Sequence, residues 1–241
     1  MFSLYKKEVR NFLSTIIGYV FIVIYLLISG LFHWVIDNDA NLLYGSEADL
    51  IPFFNLSPVI FLVLIPAITM RTIAEEKRTG TMELLATKPI SSFQILFAKF
   101  SAAVTLFCIS ITPTFLYVYS MLYIGDGNMD NGAVLTSYIG LFLLGSCFVS
   151  IGIFASSITQ SQIIAFVVSM FICWFLFYGF EFIGSYGFMG DFDAIIQNLG
   201  ISFHYESIKK GVIDSRDIIY FLSIICIFFC LALQLLKINR K

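Results

Sequence analysis

The sequence predicts an all-α, polytopic membrane protein with six spanning helices, and three observations carry that prediction. Hydrophobic residues fill 59% of the 241 positions and charged residues 12%, against roughly 45–50% and 25% in soluble domains. Charge-free windows as long as a bilayer crossing recur along the chain, and the charges between them separate by sign. With 27 Phe and only 5 Pro and 16 Gly, no soluble core of this size could hide so much apolar surface behind so few charges.

Taken in order, residues 1–13 interleave Phe2, Leu4, Val9 and Phe12 with Lys6, Lys7, Glu8 and Arg10, as a helix lying in the membrane interface does. The uncharged run 16–36 predicts a first span at 14–36. It is as long as a full crossing and has no small-x-small cleavage site, so it reads as a retained helix. Residues 50–70 predict a span at 51–71, and 100–125 one at 100–124. Each window approaches the ~20 residues that a helix rising about 1.5 Å per residue needs to cross roughly 30 Å of hydrocarbon. Residues 131–180 are all uncharged, too many for one span, but the polar cluster 156–162 divides them. A turn there predicts spans at 134–155 and 163–182. An outer segment at 183–217 leads to the last span at 218–236. Helices are the viable form, because lipid offers no partner to an open backbone. Pro66 and Pro113 read as kinks, and Gly145, Ser146, Ser150, Gly152 and Ala155 as a surface that another helix can approach closely.

Six spans put both termini on one side. That side receives Lys6, Lys7, Arg10, Arg71, Lys77, Arg78, Lys88, Lys99, Lys237, Arg240 and Lys241, leaving only Lys209, Lys210 and Arg216 for the other. Twelve of the 16 acids fall on that other side. The excess of Lys and Arg predicts cytoplasmic termini.

Several kinds of chemistry are missing. No G-x-x-x-x-G-K-[ST], H-E-x-x-H or G-x-S-x-G run exists, so neither a phosphate-binding loop nor a familiar hydrolase signature is expected. The five Cys lie in apolar stretches at spacings that match no metal or redox pattern, which suits small packing residues. His33, beside Trp34, reads as an interfacial anchor, and His204 as a local hydrogen-bonding group. Neither is expected to bind metal. The spans carry no interior carboxylate, unlike proton- or sodium-coupled carriers. Ser and Cys occur there without a paired His or Asp, so an intramembrane enzyme is not expected.

The most informative polar segment is 71–91. Arg71 to Arg78 suits a charged helix end, and Gly80 a sharp turn or helix stop. Thr81 can cap a short second helix presenting Met82, Leu84 and Leu85, which Pro89 ends. Such an apolar knob with a charged rim fits a docking element for a soluble partner. It also fits an interfacial helix resting on headgroups.

The run R-x-I-A-E-E-K-R-x-G-T-M-E-L-L-A-T-K-P-I at 71–90, with Lys99 beyond it, resembles the signature of ABC-2 type permeases. The resemblance implies the ABC-2 permease fold, with a re-entrant or external element at 183–217 before the last span. It also implies that the loop 72–92 seats on a separate ABC ATPase subunit, with Glu75, Glu76, Arg78, Thr79, Gly80, Thr81, Glu83, Leu84 and Leu85 as coupling candidates. ATP and Mg would be bound by that ATPase, and no cofactor or catalytic residue is expected in this chain. A second permease subunit, identical or different, and the lipid bilayer complete the expected partners; nucleic acid is not among them. The pattern H-Y-E-S-I-K-K-G-V-I-D-S-R-D-I-I-Y-F at 204–221 resembles the gliding-motility-associated branch of the family, which implies a bacterial inner membrane. Drug, copper-processing or haem-related export, and a membrane anchor of envelope machinery that moves no cargo, stay open as alternatives.

Overall fold

The computed structural model describes residues 2–39, 41–43, 49–82, 90–125, 129–185 and 193–238, and among these only helices and turns occur. Helix α1 (Phe2–Ser14) meets α2 (Ile16–Trp34) across Thr15; α3 (Ile51–Thr69) is followed by the short α4 (Ala74–Arg78). Helix α5 (Ser92–Ile111) passes through a 3-10 turn at Thr112–Thr114 into α6 (Phe115–Ile124). Then come α7 (Asn131–Ile158), α8 (Gln162–Trp174), a π-helical turn at Phe175–Gly179 and α9 (Phe180–Ser185). The chain closes with α10 (Asp193–Gln197), α11 (Ile201–Lys209) and α12 (Ser215–Ile238).

Six stretches are long and apolar enough to cross a membrane: Ile16–Trp34, Ile51–Arg78, Ser92–Ile124, Asn131–Ile158, Gln162–Ser185 and Ser215–Ile238. The chain is therefore an all-α, multi-pass membrane protein. Six crossings return the chain to the end where it began, here called the terminal end. There Phe229 of α12 meets Phe93 and Phe97 in the first turns of α5 edge-on.

Several boundaries differ from the sequence expectation, and two of them have a clear local cause. The third crossing starts at Ser92, eight residues before the uncharged window. Ser91 and Gln94 form a reciprocal capping box that fixes the start, and Lys99 lies buried within the helix. The polar cluster at 156–162 is also not all turn. Helix α7 runs to Ile158, Ser156 and Ser157 are buried in its last turn, and only 159–161 separate it from α8. Pro113 sits in the 3-10 turn between α5 and α6, whereas α3 continues through both Pro58 and Pro66.

Helix α7 is the axis of the bundle. In its most apolar window 83% of residues are buried, against 11% in α12, so α12 leaves most of its surface to lipid and α7 almost none. Gly145, Ser146, Ser150, Gly152 and Ala155 are all buried, the close-approach surface the small residues predicted. A Cβ on Gly152 would lie 2.0 Å from Thr69 Oγ1 of α3, and one on Gly145 2.1 Å from the Phe107 ring of α5. Four hydroxyls within the spans are satisfied by their own helix. Ser101, Thr105, Ser146 and Ser223 each donate to the carbonyl four residues back, the usual solution where no water is at hand.

At the end opposite the termini, α11 is tied to two spans. Pro58 has no N–H for the carbonyl of Phe54, the residue four back. The Tyr205 hydroxyl donates to that carbonyl at 2.8 Å. Lys209 Nζ donates to Asn55 Oδ1 at 2.6 Å, and Ser137 Oγ of α7 donates to the Lys209 carbonyl at 2.8 Å. His204 lies between Asp217 Oδ1 (2.6 Å) and the Asn198 carbonyl (2.9 Å), with its ring stacked on Tyr220. His33, read from sequence as an interfacial anchor, turns its ring into the bundle. It is fully buried, bonds the Ser29 carbonyl at 2.5 Å and packs edge-on against Phe53, because this side of α2 faces the bundle.

Candidate functional site

At the terminal end, the chain between α3 and α4 turns over four residues while α7 and α5 hold it. The turn starts where Thr69 spends its hydroxyl on the Ile65 carbonyl (2.8 Å), and Thr72 Oγ1 donates to the Thr69 carbonyl at 2.7 Å. A helix start leaves backbone N–H groups without intrahelical partners. Ile73, which precedes α4, has no side chain to cap them, and Ser156 of α7 does so from 82 residues away. Its Oγ accepts from Ile73 N (3.1 Å) and Ala74 N (3.0 Å) and donates to the Met70 carbonyl (3.0 Å). All of Ser156 is buried. One turn on, Lys77 Nζ donates to the Ser157 carbonyl.

A buried charge cluster holds the other face. Lys99 of α5, 1% exposed, donates from Nζ to the Thr72 carbonyl and to Glu76 Oε1, both at 2.7 Å. Glu8 of α1 approaches the same ammonium at 3.6 Å. A lone ammonium in an apolar bundle would carry a large desolvation penalty, and this one is met by a carbonyl and two carboxylates. Helix α1 is packed against α5 by the Leu4, Ile95 and Ala98 cluster and by Tyr5 Oη to Thr105 Oγ1 at 2.9 Å. Three elements distant in sequence therefore share one cation.

Beyond the anchored turn, the chain emerges from the protein. Arg78, Thr79, Gly80 and Thr81 are exposed. Thr79 Oγ1 donates to the Glu75 carbonyl at 2.9 Å and lies 3.0 Å from Thr81 Oγ1. Gly80 takes φ +71, the left-handed conformation that glycine adopts without strain, so α4 stops just before it. Thr81 and Met82 are helical again. Of the candidates named from sequence, Glu75 and Glu76 lie half-buried against the bundle, and Arg78, Thr79, Gly80 and Thr81 form the exposed tip. Glu83, Leu84 and Leu85 lie outside the described residues. Sequence reasoning missed Ser156, Lys99 and Glu8 as parts of this site. Glu8 looked like an ordinary charge of the N-terminal helix, Lys99 entered as a charge of the basic side and as the residue beyond the run at 71–90, and the only clue to Ser156 was a paired serine closing a long apolar run.

The fold is that of a multi-pass membrane protein in which the anchored polar turn sits at the end of the bundle. A family model described as ABC-2 family transporter protein matches residues 2–225, and the chain belongs to that family. A search of curated proteins found no match.

Proposed function

We propose that this chain is the permease subunit of an ATP-driven ABC-2 transporter in a bacterial inner membrane. Both termini are cytoplasmic, and the segment 72–92 takes up the stroke of a separate ATPase subunit. One observation carries the reading: the exposed tip Arg78–Thr81 continues directly from a turn that a buried serine ties to the central helix. A push on the tip reaches α7 through Ser156 and α5 and α1 through Lys99, so two crossing helices and the N-terminal helix respond together. ATP and Mg belong to the partner, and a second copy or a related permease completes the path. The narrower assignment, to the gliding-motility branch, rests on the resemblance at 204–221.

The test is ATP turnover by the assembled complex. Gly80→Pro, which cannot adopt a positive φ, and Glu83→Lys are each expected to lower stimulated turnover at least fivefold. If both leave assembly and turnover unchanged, the coupling role of this loop is refuted. An adjacent reading frame for an ABC ATPase supports the class, and one for a gliding-type auxiliary subunit the branch.

A further inference from the structure

A cavity of about 260 Å³ opens at the terminal end between α1, the start of α2 and the end of α3. Its walls divide by chemistry. Phe12, Ile17 and Ile68 line one part, and Glu8, Arg71 and Glu76 another. Its depth in the membrane follows from the flanking spans. The first apolar crossing begins at Ile16, and the second runs uncharged from Leu50 to Met70 before reaching Arg71. The cavity thus straddles the level at which hydrocarbon gives way to headgroups.

The polar wall has unused hydrogen-bonding capacity of both signs. Glu8 is 6% exposed, and its Oε1 has no hydrogen-bond partner. The nearest ammonium groups, on Lys99 and Lys7, stand at 3.6 and 3.7 Å, beyond the usual reach of such a bond. Glu76 Oε2 and Arg71 Nε are likewise buried without hydrogen-bond partners. Buried polar atoms are ordinarily paired, so three unpaired atoms around one cavity point to an occupant. Arg71 supplies a planar donor suited to a phosphate; Lys99 already donates to Glu76 Oε1 and stands 3.6 Å from Glu8 Oε1, which leaves Glu76 Oε2 and Glu8 Oε1 open to a second, hydrogen-bond-donating cation. Three glutamates line the cavity beside one arginine and one lysine, so an anion alone is opposed. Among the described residues no group of His, Cys, Asp and Glu could hold a metal ion, which leaves an organic ammonium.

We infer that this cavity binds the headgroup of an ethanolamine phospholipid, with its phosphate at Arg71, its ammonium at Glu8 and Glu76, and its glycerol end along Phe12, Ile17 and Ile68. A choline headgroup has the same charge but no N–H to donate, and a glycerol headgroup has no cation. The site therefore selects within the membrane's own lipids. This inference rests on the cavity and the spans, and does not depend on the coupling role proposed above.

The experiment uses the purified full chain, stripped of lipid in detergent and titrated with phosphatidylethanolamine, phosphatidylcholine or phosphatidylglycerol of identical acyl chains. Bound lipid is counted by native mass spectrometry. The ethanolamine lipid is expected to fill one site at a concentration at least tenfold below either of the others. Glu8→Gln should bring the ethanolamine-to-choline ratio toward one, and Arg71→Gln should weaken ethanolamine lipid binding at least fivefold. If Glu8→Gln does not fold, Glu76→Gln, at the other carboxylate assigned to the ammonium, gives the same comparison. Free phosphoethanolamine is expected to compete only weakly. Equal binding of the three lipids would overturn the assignment, as would ratios unchanged in both glutamate variants or free phosphoethanolamine binding as tightly as the lipid. A preference that vanishes once an ATPase subunit is bound would also overturn it, because the cavity would then belong to the partner.

Discussion

Replacing Ser156 with Ala removes one oxygen and leaves three backbone groups without their partner. These are the N–H groups of Ile73 and Ala74, held at 3.1 and 3.0 Å, and the Met70 carbonyl at 3.0 Å. Losing a helix N-cap costs about 0.5–2 kcal/mol, and a buried unpaired carbonyl about 1–3 kcal/mol. Partial entry of water limits the sum, and we expect a loss of about 2–4 kcal/mol. Because the damage is local, amide exchange reads it best. Opening of the turn should become about 30- to 700-fold more frequent at Ile73 and Ala74, since each 1.4 kcal/mol is a factor of ten. Ser157→Ala is the control, because that hydroxyl bonds only the Phe154 carbonyl within its own helix, at 2.6 Å. It should change exchange at 73 and 74 less than threefold. An equally small change in Ser156→Ala would refute the anchoring of the turn through this hydroxyl.

Tyr205→Phe leaves the Phe54 carbonyl unpaired and should cost about 1–3 kcal/mol in reversible unfolding. Adding Pro58→Ala restores an N–H for that carbonyl, so the double variant should recover part of the loss, a non-additivity that a double-mutant cycle measures. Gly152→Ala places a Cβ 2.0 Å from Thr69 Oγ1 and should destabilise by about 1–3 kcal/mol; Thr69→Ala in the same chain should relieve it. Lys99→Met strands Glu8 and Glu76 as buried carboxylates, a change expected to cost about 3–5 kcal/mol, and Glu76→Gln in that background should recover part of it. Burial alone would raise the Glu206 carboxyl, but Lys209 and Lys210, through hydrogen bonds and charge, hold it below the usual range. A depressed carboxyl stabilises the fold above its unfolded value of about 4.3 and loses that contribution as pH falls through its folded value. The melting difference between the native chain and Glu206→Gln should therefore be present at pH 6–7 and vanish at the acid end.

The six crossings were legible because bilayer thickness sets the length of an apolar run, and a charge within one is costly enough to mark its end. The same rule explains where the reading slipped. Lys99 was taken to end a window, but a charge marks a boundary only when it faces lipid, and this one faces Glu76 and the Thr72 carbonyl. Ser156 and Ser157 read as a turn because serine is common in turns; a serine that satisfies a distant backbone looks the same in sequence. His33 showed the converse limit, since proximity to Trp34 locates depth in the membrane but not the direction a side chain faces. For the candidate site, the charge pattern and Gly80 picked out the exposed tip. The anchors beneath it come from α7, α5 and α1, and no local pattern links positions so far apart.

The bond from Tyr205 to Phe54 joins residues 151 positions apart, which bears on how the protein is made. Helix α3 emerges early in synthesis with a carbonyl that Pro58 cannot serve, and interface water has to meet it while three more crossings are inserted. Only when α11 docks, with Lys209 reaching Asn55 beside it, is that vacancy closed from within the chain. Chains truncated before residue 205 should therefore carry every crossing but the last and still lack this closure. The proline acts here as a receptacle kept open until the segment before the last crossing arrives, and its filling leaves only α12 to be placed.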